Sequence, residues 1–176
     1  MRIGDNAASL AAFGDESVKP ETYKSYVMRK WVLANGNELS VTLSGAGRIV
    51  YLESDWDGGD VDTGCDLPGL KFGATTLHEL RDRFGSNGFE FEKRGPGVDV
   101  AGGFVMFNSF EIGSKVVTFF TKVSREDFER LKKAGSSSEI AQFAKLDAIS
   151  IADASYAKDE WGARIYDPNY KSVGWK

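Results

Sequence analysis

"FGATTLHELRDRFG", residues 72–85, is the stretch from which the rest of the chain can be read. Thr76 is a good N-cap, and Glu79 stands three residues on. Each can satisfy an orphan amide of the first turn, which makes a capping box. Leu77, Leu80 and Phe84 recur at helical spacing with Arg81 beside them, so the segment carries one apolar stripe. Gly85 then supplies the left-handed cap that ends a helix. The spacing predicts a short, capped, amphipathic helix over 76–85.

Downstream the period changes from helical to alternating. "GFEFEK" (88–93), "FVMFNSFEI" (104–112) and "KVVTFFTKV" (115–123) read as strands, and "GS" at 113–114 is short enough for a tight hairpin. "GPGVDVAGG" (95–103) reads as a turn region with a bulge at Gly102–Gly103. Upstream, "IGDNAASLAAFG" (3–14) is a shorter counterpart of the helix, also closing on Phe-Gly. Strands follow it at 26–33, 38–44 and 48–54, with Asn-Gly in the first connection. Leu39, Val41 and Leu43 alternate there with Ser40, Thr42 and Ser44.

Both halves therefore read as helix followed by antiparallel strands. The fold expected is α+β: a first helix-plus-sheet repeat over 1–57, an acidic Gly-rich linker over 58–68 and a second repeat over 69–123. Residues 124–176 are expected to add C-terminal helices and an aromatic tail packed on the repeats. "SREDFERLKKAG" (124–135) has Ser124 as N-cap and Asp127 at the box position, with Glu126–Arg130 and Glu129–Lys133 at supportive spacing. "SSSEIAQFAKLDAISIADA" (136–154) reads as a further helix with Ile140, Phe143 and Ala144 inward. The tail has no period and is expected to be held to the surface by Trp161, Tyr166, Tyr170 and Trp175.

Composition restricts function more than it names it. The chain has 176 residues, 41% apolar and 27% charged, the balance of a folded globular protein. A net charge of −4 argues against a nucleic-acid binder, which needs a basic stripe. One cysteine, Cys65, permits no internal disulfide. The longest apolar runs are too short to cross a bilayer. The start of the chain lacks the apolar run of a signal peptide. That leaves a cytoplasmic protein or a mature exported one, with the lean toward periplasmic or secreted.

A helix closing on Phe-Gly before an antiparallel sheet, then repeated, resembles two related architectures. One is the SmpA/OmlA family of outer-membrane assembly lipoproteins, whose helical segments read Gly-x-Thr, then an apolar residue, then Phe-Gly. The other is the β-lactamase inhibitor protein, a tandem of such units. "FGATTLHELRDRFG" carries the resemblance well and "IGDNAASLAAFG" carries it loosely. There is no lipobox cysteine near the start and no cysteine pair within a repeat. The resemblance implies a tandem α+β fold whose sheet face binds another protein.

The most chemically suggestive segment is "YLESDWDGGDVDTGCDLPG" (51–69), with six acids and no Lys or Arg. Counted from Asp55 as position 1, acids fall at 1, 3, 6, 8 and 12 of a calcium loop. Position 6, where such a loop needs Gly for its sharp turn, is Asp60. Asp55, Asp57, Asp60, Asp62 and Asp66 are thus candidate ligands of a weak calcium site only, and a solvated spacer is the favoured reading. His78, the only histidine, lies off the apolar stripe of its helix, so nucleophilic schemes lack an oriented base. "SGAGR" (44–48) and 95–103 match no phosphate-binding fingerprint.

The aromatic residues remain. Both faces of the hairpin 104–123 are partly apolar, more than a one-sided sheet over water requires. Trp31, Tyr51, Trp56, Phe107 and Phe119 are the candidate anchors of a binding face. The function expected is a non-catalytic, envelope-associated, inhibitor-like or immunity-like protein-binding module without cofactor. The alternative is a small hydrolase or calcium-dependent domain using 53–66.

Overall fold

One antiparallel sheet runs through the chain. The computed structural model describes residues 1–63 and 69–170. In chain order these form β1 (Glu21–Tyr23), β2 (Tyr26–Val32), β3 (Glu38–Leu43), β4 (Ile49–Asp55) and α1 (Leu77–Phe84). Then come β5 (Phe89–Phe91), β6 (Gly97–Val100), β7 (Gly103–Ile112), β8 (Lys115–Ser124) and α2 (Arg125–Lys133). The last elements are α3 (Ile140–Phe143), β9 (Lys145–Asp153), α4 (Ala154–Trp161) and β10 (Arg164–Tyr166). Short 3-10 turns lie at Ala7–Phe13 and Ser137–Glu139. The strand order is β1-β2-β3-β4-β9-β8-β7-β5-β10, with β6 pairing β7 beside this path. The α+β class read from the sequence is therefore observed. No helix among the described residues is long and apolar enough to cross a membrane.

The expectation of helix across 136–154 is corrected by β9. Only Ile140–Phe143 is α-helical there, and Lys145–Asp153 is a central strand between β4 and β8. Leu, Ala and Asp in "KLDAISIAD" suit a helix, but Ile149 and Ile151 are β-branched and alternate with small residues. A strand buried on both faces shows no clean polar alternation, which hides it from a pattern reading. The C-terminal part is thus not a helical layer laid on the sheet. It contributes the strand that joins β1–β4 to β7–β8. The glycine-rich stretch 97–100 is likewise a strand rather than a turn, pairing from Gly97↔Met106 to Val100↔Gly103.

α1 forms where its caps predict. Thr76 Oγ1 accepts from the Glu79 amide at 3.2 Å, and the Glu79 carboxylate accepts from the Thr76 amide at 2.6 Å. Gly85 closes the helix at φ 67°. Leu77, Leu80 and Phe84 are buried. Thr76→Ala is expected to cost about 1 kcal/mol in urea unfolding and Thr76→Ser much less, because only the hydroxyl caps. Equal losses in both variants would count against the cap. α2 has the expected Ser124 cap, but its ion pairs are Arg130–Asp127 at 2.6 Å and Arg125–Glu129 at 3.9 Å. These replace the pairs at Glu126 and Glu129 that spacing suggested.

The two faces of the sheet are unequal. On the first, Leu39, Val41, Leu43 and Ile49 pack with Leu10 of the N-terminal 3-10 turn. Val117, Phe119, Leu146 and Ile149 on that face pack with Leu80 and Phe84 of α1 and with Leu70 and Phe72. The second face is covered over part of its width only. Ala157, Tyr156 and Trp161 of α4 close over Phe89, Phe91, Val116 and Ala152, while Tyr23 of β1 and Met28 and Val32 of β2 stay exposed.

Candidate functional site

Strand register sets what the second face displays. Along one row, successive cross-strand partners are Lys30, Ser40, Glu53, Ser150, Thr118 and Ser109. The row on one side carries Met28, Thr42, Tyr51 and Ala152, and the row on the other carries Val32, Glu38, Asp55, Ala148 and Phe120. Short hydroxyl side chains under α4 are buried, Ser150 and Thr118 at 1% exposure and Ser109 at 2%. Ser109 and Thr118 satisfy one another at 2.8 Å. A polar stripe therefore crosses the sheet beneath an aromatic cover. Its uncovered end is charged.

Glu53 is the centre of that charge. Tyr51 donates its phenol proton to the Glu53 carboxylate. Arg94 reaches in from the segment after β5, with its guanidinium carbon 4.4 Å from the Phe107 ring, 4.9 Å from Phe120 and 4.4 Å from Trp161. Such stacking suits a weakly hydrated guanidinium and would not hold a lysine in the same way. Burial pushes the pKa of Arg94 down from its ordinary value, against Tyr51 and Glu53, which favour its charged form. Its Nη1 has no hydrogen-bond partner among the described residues.

Burial pushes Glu53 up from the usual carboxylate range, opposed by the Tyr51 hydrogen bond and by Arg94 and Lys30. Asp55 is pushed up to about 7, by burial first and then by the Glu53 charge, with Lys30 opposing and Glu38 and Asp147 adding. Asp55 and Glu53 stand two residues apart on the same face of β4. Two such carboxyls cannot both ionise cheaply, so near neutrality they share a proton. Lys30 holds Glu38 at 2.5 Å at the margin of the group. The arrangement can donate or accept a proton, and it can receive a cation. His78 takes no part in it, being exposed on α1, which packs on the opposite face.

No family model and no curated protein matches this chain. Among solved structures it is similar to an extracellular protein containing an SCP domain from Bacillus anthracis str. Ames. That likeness has 8% identity and a TM-score of 0.45, covering 96% of this chain and 50% of that one. It is also similar to a DUF4309 family protein (YjgB) from Bacillus subtilis subsp. subtilis str. 168. Here identity is 10%, the TM-score 0.44, and coverage 83% of this chain and 76% of that one. The chain spans about half the length of the first of these. Function is therefore argued from the site's own chemistry.

The five aromatic candidates separate. Trp31 and Phe119, 2% and 0% exposed, lie in the covered core and present nothing to a partner, which corrects their reading as anchors. Trp31 donates its indole N–H to the Gly14 carbonyl at 3.2 Å. Trp56 packs on the core and donates to the Gly59 carbonyl at 3.2 Å. Its ring lies so close to Gly73 that a Cβ there would come within 2.2 Å. Tyr51 and Phe107 do meet on the second face, around Arg94. A lone large aromatic in a strand does not announce which face it serves.

The acidic candidates also separate. Asp55 belongs to the Glu53 pair, whereas Asp57, Asp60 and Asp62 are exposed on the following loop. That loop is tied down over its described part. Asn37 Nδ2 donates to the Asp60 carbonyl at 3.0 Å, and the Asp60 amide donates to the Asn35 carbonyl at 3.0 Å. Asp66 and Cys65 lie outside the described residues, as does Trp175. Among the described residues no group of three or more His, Cys, Asp or Glu side chains is placed to hold a metal ion. The residues that pattern reading missed are Arg94, Lys30, Glu38, Tyr156 and Ser150, brought together only by the strand order. Glu53 was within reach, because Tyr51, Glu53 and Asp55 alternate onto one face.

Proposed function

We propose that the protein is a non-catalytic protein-binding module acting through the uncovered half of its second sheet face. One observation carries the reading. Tyr23, Met28 and Val32 on that half are 55%, 47% and 59% exposed, with Met28 in register with Thr42 and Tyr51 and Val32 with Glu38 and Asp55. Apolar side chains aligned beside rigid, buried aromatics are the make-up of an interaction patch. We further read the two halves as tandem units that share one sheet, each opening on a short helix that closes on Phe-Gly. That arrangement supports an inhibitor-like, immunity-like or envelope-associated role.

The test is capture from an extract of the source organism by wild type and by Met28→Glu/Val32→Glu, with calcium and with chelator. Wild type is expected to retain a partner in both conditions and the double variant to release it, with equal melting temperatures. Retention by the double variant would rule this face out. The carboxyl of Asp55, pushed up to about 7, favours a second reading, a small hydrolase using Asp55 as general acid. It requires a turnover that Asp55→Asn abolishes across ester and glycoside substrates.

A further inference from the structure

The uncovered half of the face has a sign. Glu21, Glu38, Glu53 and Asp55 lie on its rows, and Asp159 and Glu160 of α4 stand at its border. The cations among them are engaged: Lys24 with Glu160 at 2.8 Å, Lys30 with Glu38 at 2.5 Å, and Arg94 in its aromatic stack. Burial raises Tyr26, and the nearby Asp159 and Glu160 raise it further. Burial raises Tyr51, and Glu53 adds to it. Tyr156 is raised by burial, with Glu160 and Glu53 adding and a Thr42 hydrogen bond opposing. Acidic side chains therefore outnumber cations from β1 to the edge of α4, over a surface that also exposes Met28 and Val32.

A patch with this pairing suits an extended chain in which every second side chain, the set on one face, is apolar and cationic in turn. We infer that the occupant of this half is a basic, extended segment of another protein. Its lysine or arginine heads meet Glu21, Glu38 and Asp159, and its apolar side chains lie on Tyr23, Met28 and Val32. This rests on the binding-module reading above and names the partner's chemistry. The aromatic rings at the border, Tyr26 and Tyr156 in edge contact at 4.9 Å, add a π-face on which a cationic head can rest.

The test uses three fluorescent peptides of equal length, in which serine fills every second position and the positions between carry valine and lysine in turn, valine and glutamate in turn, or valine and serine in turn. Fluorescence anisotropy is read against wild type, Glu21→Lys/Asp159→Lys and Met28→Glu/Val32→Glu. The lysine peptide is expected to bind wild type in preference to the other two and to weaken as salt is raised. Glu21→Lys/Asp159→Lys should weaken it by about tenfold. Both positions are exposed, so the fold is not at issue. Equal binding of the serine peptide, or no effect of the charge reversal, overturns the basic-partner inference. The face itself still stands in that case if Met28→Glu/Val32→Glu releases the peptide. No binding by any peptide also overturns the inference, whereas the binding-module reading falls only if that variant still captures the partner from extract.

Discussion

Phe119→Ala is expected to lower the stability of the protein by about 3–5 kcal/mol, the largest single loss among the variants considered. Phe119 is fully buried, its ring stacked on Phe84 at 5.1 Å and tilted against Phe110 at 6.0 Å. Removing it takes away transfer free energy and leaves a cavity between the sheet and α1, where a rigid helix–sheet contact can relax only in part. For a chain of this length the loss corresponds to a fall of about 10 °C or more in melting temperature. Phe107→Ala is the control. Phe107 is half-buried on the other face, against Phe120 and Arg94, so its removal should cost clearly less. Urea unfolding of both variants checks the order, and a Phe119→Ala loss no greater than that of Phe107→Ala would contradict the assignment of the covered face.

That contrast also shows what was legible in the sequence. The two phenylalanines look alike in the strings "VMFNS" and "VTFFT", and the strands containing them were readable from alternation and the tight Gly113–Ser114 connection. Which face each ring joins depends on what packs above it, and that is fixed by non-local contacts. α1 was legible to the residue because capping is local chemistry: hydroxyl, carboxylate and glycine act within one turn. β9 was not, because a central strand takes its stability from both neighbours rather than from its own pattern. Once β9 is placed between β4 and β8, Ser150 falls beside Glu53 and Ala152 beside Tyr51, and α4 follows directly to roof the row. The site was therefore half visible. Tyr51, Asp55 and Phe107 were singled out, while Arg94, which unites them, is an ordinary arginine in a Gly- and Pro-containing loop.

The second large effect is pH-dependent and follows from the same pair of carboxyls. Asp55 ionises near pH 4 when unfolded and at about 7 when folded. Between those values the folded protein holds a proton that the unfolded chain has released, so stability falls as pH rises through this window. The penalty is absent below the unfolded value and complete above the folded one. Glu53 and Asp147, both raised chiefly by burial, act in the same direction. Glu79, Asp99, Asp127 and Asp153 are lowered instead, by hydrogen bonds to Thr76, Arg125, Arg130 and Ser155, so their stabilisation is lost only at more acidic pH. Stability should therefore peak in mildly acid solution, about pH 5, and decline toward pH 8. Asp55→Asn removes the charge that is costly to bury and keeps the shape of the side chain. It is expected to stabilise the protein at pH 8 by about 1–3 kcal/mol, after allowance for partial solvent screening, and to change little at pH 5. Thermal unfolding of both proteins across pH 5–8 decides the matter. A wild type more stable at pH 8 than at pH 5.5 would mean that Glu53 and Asp55 are both ionised without cost, with Arg94 and Lys30 compensating fully, and the pair would then be an ordinary solvated one.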